Sequence, residues 1–306
     1  MWSILAFLSS VLLGFYDVFK KQSLTDNAVI PVLFINTFIS SLLFLPFILL
    51  SKVQPETLMN TLFFIPPAGW EIQKYIILKS FIVLGSWISG YFGMKHLPLT
   101  IVGPINTTRP VMVLLGALFV FGERLNFCQW IGAMLSLISF FMLSRSGKKE
   151  GIDFRHDKWI YFIILASILG AASGLYDKYL MASADEGGLG LDRMVVQSWY
   201  NIYQFIMMGS VFIILWYPGR GHSTPFHWDW CIIGISLFLT AADFVYFYSL
   251  SIDGAMISIV SMIRRSSVIV SFICGAVIFR EKNFMMKFYD LLLVFTGMVF
   301  LYLGSM

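Results

Sequence analysis

Residues 14–20 read GFYDVFK and residues 174–180 read GLYDKYL. Each stretch closes a long apolar run, and both carry Gly-x-Tyr-Asp, 160 positions apart. An aspartate at the end of a run that looks ready to enter lipid calls for a partner, for water or for a function. Its recurrence also suggests that the chain is a duplication.

The composition is that of a membrane protein. Of the 306 residues, 58% are hydrophobic and 12% charged, with a mean hydropathy of +0.81. A soluble domain carries about 25% charged residues. The 30 phenylalanines suit helix surfaces that face lipid. The first apolar run has neither a basic leader nor a small-residue cleavage site, so a retained first helix is expected rather than a signal peptide. Cys128, Cys231 and Cys274 lie in or beside apolar runs without Cys-x-x-Cys spacing, and the four histidines form no His-x-x-x-His pair. No cofactor, metal site or disulfide frame is expected from them. The net charge of +4 does not point to a nucleic-acid partner.

A spanning helix needs about 20 largely apolar residues. The runs between polar breaks predict ten of them, at 2–19, 29–51, 75–94, 99–121, 127–144, 158–181, 193–216, 230–250, 255–279 and 286–305. Strands of a membrane barrel would be about ten residues of strict alternation, and these runs do not alternate. Short links such as KHLPL and GERLN make neighbouring helices antiparallel. FFIPPAGWEIQ, within 52–74, is expected to lie at the membrane interface, and YPGRGHSTPFHWD at 217–229 looks similar. The most polar stretch, SRSGKKEGIDFRHDKW, falls near the midpoint.

A repeat runs across that midpoint. Gly14-Phe15-Tyr16-Asp17 matches Gly174-Leu175-Tyr176-Asp177, Asn36 matches Asn201, and Arg109 and Arg264 stand at similar depths of the fourth and ninth helices. An odd number of helices per half inverts the second half, which is the architecture of many secondary transporters. The expected fold is all-α and integral to the membrane, with ten transmembrane helices as two inverted five-helix repeats, 1–151 and 152–306.

The stretches VGPINTTRP (102–110) and LFVFGERLNFCQWIGAMLSLISFF (118–141) carry a further signal: Glu123 follows an apolar helix, and Gln129-x-x-Gly132 opens the next. In these features and in its two five-helix halves the chain resembles the EamA family of the drug/metabolite transporter superfamily. The second half keeps Glu281 but reads MMKFYDLLLVFTG in place of the Gln-x-x-Gly. The resemblance implies a bundle around a central cavity, lined by helices three, four, eight and nine with parts of one and six. Lys and Arg counts put the loops after odd-numbered helices in the cytoplasm and both termini outside. The family expectation is the reverse, and orientation stays open.

Arg109 and Arg264 are the leading site candidates. Each lies some ten residues into its helix, roughly 15 Å deep in a hydrocarbon core about 30 Å thick. A mid-membrane arginine costs at least about 2.5–3.5 kcal/mol unless it is paired or faces water. The alternatives are anion recognition or gating, and a buried structural ion pair. Arg265 points about 100° away from Arg264 and needs a different partner. Asp243, in LTAADFVYFY, is the natural partner for Arg264 or Arg265, or a proton-coupling carboxylate. The matching stretch GSWISGYF offers Ser86, Trp87 and Ser89 instead. Pro104 and Pro110 free backbone carbonyls around Asn106, Thr107 and Thr108, which either bind substrate or satisfy the kinked helix. Helix nine offers Ser258, Ser261, Ser266 and Ser267 there. Asn36 and Asn201 are expected to make interhelical hydrogen bonds, and Glu123 and Glu281 to be structural. Asp17, with Lys20 and Lys21 a turn away, reads as an exposed helix-end pair, and Asp177 has Lys178 beside it. With inverted halves, Asp17 and Asp177 lie at opposite membrane faces and are candidates for two gates.

The expected function is secondary transport of a small polar metabolite across the cell (inner) membrane, as exporter or exchanger. The partners are that solute, the lipid bilayer and a possible coupling ion, proton or sodium. The rivals are a membrane-embedded enzyme, for which no nucleophile or metal cluster speaks, and a non-transporting structural or sensory protein.

Overall fold

The computed structural model describes residues 2–109, 111–112, 126–148, 155–181, 188–221, 224–250, 252, 260, 263–279 and 284–304. Every regular element among them is helical. In chain order they are α1 (Trp2–Leu24), α2 (Val29–Val53), α3 (Trp70–His96), α4 (Leu99–Thr107), α5 (Phe127–Lys148), α6 (Lys158–Met181), α7 (Arg193–Val211), α8 (Cys231–Leu250), α9 (Ser267–Val277) and α10 (Phe284–Leu303). A single turn, Pro55–Leu58, follows α2, and α7 continues through a π-helical stretch, Phe212–Trp216. Among the described residues six helices are long and apolar enough to cross a membrane: α1, α2, α3, α6, α7 and α8. The expected end of the fourth helix (113–121), Pro110, Glu123, Ser258, Ser261 and Glu281 lie outside the described residues.

Two boundaries move for physical reasons. α3 starts at Trp70, earlier than its apolar run predicts, because Gly69 turns the chain out of an extended segment and a Glu71–Lys74 ion pair at i,i+3 supports a polar first turn. α1 runs on to Leu24. Lys20 and Lys21 therefore belong to the helix, and the Lys21 ammonium donates to the Met94 and Leu97 carbonyls at 2.9 and 2.7 Å, closing the C-terminal end of α3.

The faces are sorted as lipid demands. Large apolar side chains point outward, Phe81 and Ile213 among them at 70% and 65% exposure. Buried faces carry small and polar residues, including Ser9, Ser10, Asn36, Ser40, Ser80, Ser198, Gln204 and Ser236. Without a hydrophobic drive between helices, close packing and interhelical hydrogen bonds hold such a bundle together. Ser9 Oγ donates to the Ala242 carbonyl at 2.6 Å, Ser86 Oγ to Ala166 at 2.7 Å, and Thr240 Oγ1 to Ser40 Oγ at 3.2 Å.

The helices pair across the two halves of the chain. α1 lies along α8, with Phe19 at Gly234, Phe15 at Phe238 and Ser9 at Ala242. α3 lies along α6, with Gly93 at Ile163, Ser86 at Ala166 and Lys79 at Asp177. In both pairs residue numbers rise in opposite directions, so the pairs are antiparallel. α2 meets α7 through Phe34 and Phe38 against Phe205, with Phe34 also stacked on Phe212. α4 meets α9 at Gly103 and Val268, and α5 meets α10 at Asn126 and Gly304.

The two tetrad glycines are not equivalent. A Cβ on Gly14 would stand 2.5 Å from Val270 Cβ and 2.9 Å from the Ser267 carbonyl oxygen, whereas one on Gly174 meets nothing within 4 Å. Gly14→Ala is therefore expected to force α1 from α9 and cost about 1–3 kcal/mol. Gly174→Ala should be neutral or add about 0.5–1 kcal/mol through helix propensity. Thermal melts of the two variants in detergent check the contrast.

Candidate functional site

Two clusters of charge and aromatic rings lie at different heights along α3. The first forms around Tyr91. Lys20 pairs with Asp17 at 2.8 Å within α1, and its ammonium lies 4.2 Å from the Tyr16 ring centroid and 5.3 Å from that of Tyr91. Asn36 Nδ2 donates to Tyr91 Oη at 3.3 Å. The local Asp17–Lys20 pair is the one sequence spacing suggests, but it is enclosed: the side chains are 17% and 9% exposed. The aromatic rings of α1 and α3 cover it, which correct the expectation of an exposed helix end.

The second cluster forms around Lys79, which sequence reading passed over as a flanking charge. Lys79 and Asp177 form an ion pair between α3 and α6, and the lysine is 3% exposed. Lys79 reaches Asp177 because α3 and α6 run antiparallel in contact. The ammonium stands 5.3 Å from the Tyr200 ring and 5.4 Å from that of Phe247. Tyr200 Oη donates to Asp243 Oδ2 at 2.7 Å. The other Asp243 oxygen pairs with Arg264, whose guanidinium lies 4.2 Å over the Tyr246 ring. One connected network thus ties α3, α6, α7, α8 and the chain entering α9. A buried ion pair is retained only when hydrogen bonds satisfy its remaining atoms, and Tyr200 supplies one here.

Arg109 stands between these clusters. Its Nη2 donates to Asn106 Oδ1 at 3.0 Å, and Ser167 Oγ donates to the same oxygen at 3.2 Å. The guanidinium lies against Gly170, where a Cβ would come within 2.7 Å of Nη1 and 2.8 Å of Cζ. Ser167 and Gly170 share a level of α6 with Gly85 and Ser86 of α3, since Ser86 bonds Ala166 and Gly85 faces Leu169. Lys79 and Tyr91 are 12 residues apart on α3, about 18 Å, and that level falls midway. Arg109, Arg264 and Arg265 all keep accessible surface and lie within electrostatic reach of one another.

The other candidates divide by role. Asn106 positions Arg109 and ties α4 to α6. Thr108 Oγ1 donates to the Ile105 carbonyl at 2.7 Å, so it satisfies the proline-bearing turn. The side chain of Thr107 lies outside the described residues. Trp87 packs against the two largest apolar clusters. Asn36 makes its interhelical bond, whereas Asn201 Nδ2 donates within its own helix to the Gln197 carbonyl at 2.8 Å. A missed sequence signal underlies the arrangement: Tyr91-Phe92 stands 18 residues before Arg109, and Tyr246-Phe247 stands 18 residues before Arg264. The identical spacing could have paired the two arginines more firmly than depth did.

No curated protein matches this chain. One solved protein crystal structure superposes with a TM-score of 0.64 at 14% identity, covering 99% of this chain and 98% of that one, so the fold is shared from end to end. Residues 1–145 match the EamA-like transporter family. That first half is thus similar to the EamA-like transporters, and the likeness, together with six helices long and apolar enough to cross a membrane among the described residues, indicates a multi-pass membrane protein.

Proposed function

We propose that this protein is a secondary transporter of a small polar metabolite in the cell (inner) membrane, built as two inverted five-helix repeats (1–151 and 152–306) that work by alternating access. Its ten helical elements stand for ten spans in this reading. Support for inversion comes from the pairing: the first helix packs on the eighth as the sixth packs on the third. The second on the seventh, fourth on the ninth and fifth on the tenth complete the pattern. The tightest pairs, α1·α8, α5·α10 and α3·α6, each take one helix from either half. The moving units are then these cross-half pairs rather than the two sequence halves.

The observation that carries the reading is Arg109. It is a cation held at mid-height by Asn106 over Gly170, between an Asp17–Lys20 cluster and an Asp177–Lys79 cluster. A polar site between two breakable charge clusters is what alternating access requires: one cluster opens while the other stays closed. Asp17 and Asp177 act as the two gate carboxylates, Asp243 and Arg264 brace the second gate, and Arg109 faces the solute. A proton or sodium ion drives the cycle.

The test is a metabolite uptake screen on purified protein in liposomes, run with imposed proton or sodium gradients. Arg109→Ala is expected to slow flux of the solute that wild type carries by about tenfold or more. Protein that moves no solute in either direction would favour a sensory or structural role instead.

A further inference from the structure

Among the described residues the charges at the centre of the bundle do not balance. Three guanidiniums converge there, and among the described residues Asp243 is bonded to one of them, Arg264. Arg109 is held by a neutral carboxamide, and its buried Nε has no partner. Arg265 pairs with no carboxylate among the described residues and feels the charges of Arg109 and Arg264. Asp17 acts on Arg109 and Arg265 at a distance, but it is bonded to Lys20 at 2.8 Å. The two halves differ at the position that carries this anion. In the register that aligns Tyr91 with Tyr246 and Arg109 with Arg264, Asp243 falls opposite Ile88. The second half supplies its arginine with an anion, and the first half withholds one.

We propose that the site takes a small organic anion whose carboxylate or phosphate bridges Arg109 and Arg265, standing to Arg109 as Asp243 stands to Arg264. Guanidinium groups bind such anions through paired, charge-assisted hydrogen bonds. The open face at Gly170 lets the Arg109 guanidinium lie flat against α6 while Asn106 orients it. Arg264, engaged by Asp243, stays out of the ligand contact. The inference rests on the transporter reading only for what happens to the anion after it binds.

The experiment measures binding to purified protein in detergent by thermal melts with glycerol 3-phosphate, glycerate or glycerol at constant ionic strength. The phosphate or the carboxylate ligand is expected to raise the melting temperature saturably, and glycerol is not; the arm that responds identifies the anionic group. Arg109→Gln and Arg265→Gln should each weaken binding by about tenfold or more. Gly170→Ala should weaken it in the same direction without changing any charge, which keeps the test open if an arginine variant fails to fold. Asp243→Asn, which releases Arg264, should tighten it. No response to either anion, or equal responses in wild type, Gly170→Ala and Arg265→Gln, overturns the proposal. Flux in liposomes is read separately. A neutral solute carried without anion binding overturns the anion class and leaves the transporter; anion binding with no flux of any solute does the opposite.

Discussion

Lys79→Met is expected to destabilise the protein by about 3–5 kcal/mol, among the largest effects of any single substitution in it. The cause is the asymmetry of a buried ion pair. Asp177 lies on α6 against Lys79 with its side chain only 10% exposed. Removing the ammonium leaves a largely buried carboxylate without its ion-pair partner, next to the Tyr200 and Phe247 rings that the ammonium faced. Removing both charges at once is far less costly, since the desolvation penalty disappears with the attraction. Lys79→Met combined with Asp177→Leu should recover most of the loss. Unfolding in mixed detergent, run as a double-mutant cycle, measures the coupling. A double variant as unstable as Lys79→Met alone would mean that packing, rather than charge, accounts for the cost. In the gating reading the same double variant should fold and yet lose directional flux.

Arg264→Met is expected to be of similar size, about 3–5 kcal/mol, for Asp243 is then left with Tyr200 as its hydrogen-bond partner. Asp243→Asn in the same chain should return most of it, because the neutral amide still accepts from Tyr200. Tyr200→Phe alone should cost less, about 1.5–3 kcal/mol, the range of a hydrogen bond to a charged group. The order Arg264→Met, then Tyr200→Phe, then the double variant is the signature of a charge held by a hydrogen-bonded partner. Asp243→Asn by itself should leave insertion intact and impair transport, so wild-type flux in that variant would remove Asp243 from the working site.

The cross-half network explains why these two predictions outweigh the others. Lys79 is on α3, Asp177 on α6, Tyr200 on α7 and Asp243 on α8. Each substitution therefore loosens contacts between helices far apart in sequence. Gly14→Ala, by contrast, disturbs one helix contact, and its neighbours can shift.

Much of this was legible before any coordinates. Apolar runs of spanning length marked the helices, because a backbone in lipid must satisfy its own hydrogen bonds. The depth of Arg109 and Arg264 marked them as residues that cannot face lipid. Asp243 was foreseeable as an arginine partner from its place near the middle of the eighth helix, which a short link joins to the ninth. Other features were hidden for a physical reason. Lys79 reads as one more flanking lysine until α3 is laid antiparallel on α6, since partners 98 positions apart leave no local pattern. Asp17 and Asp177 look alike in sequence, yet one pairs within its helix and the other across helices.

The sequence by itself determined that this is a helical membrane protein, similar in its first half to the EamA-like transporters, and that short motifs recur across its two halves. Only the tertiary structure decided which charges meet. Helix formation in lipid depends on local composition, whereas ion pairing depends on the register and direction of helices that touch, and packing of small residues such as Gly14, Gly93 and Gly103 sets that register. The tetrad that opened the reading recurs in both halves, and its two aspartates owe their different partners to the helices packed beside them.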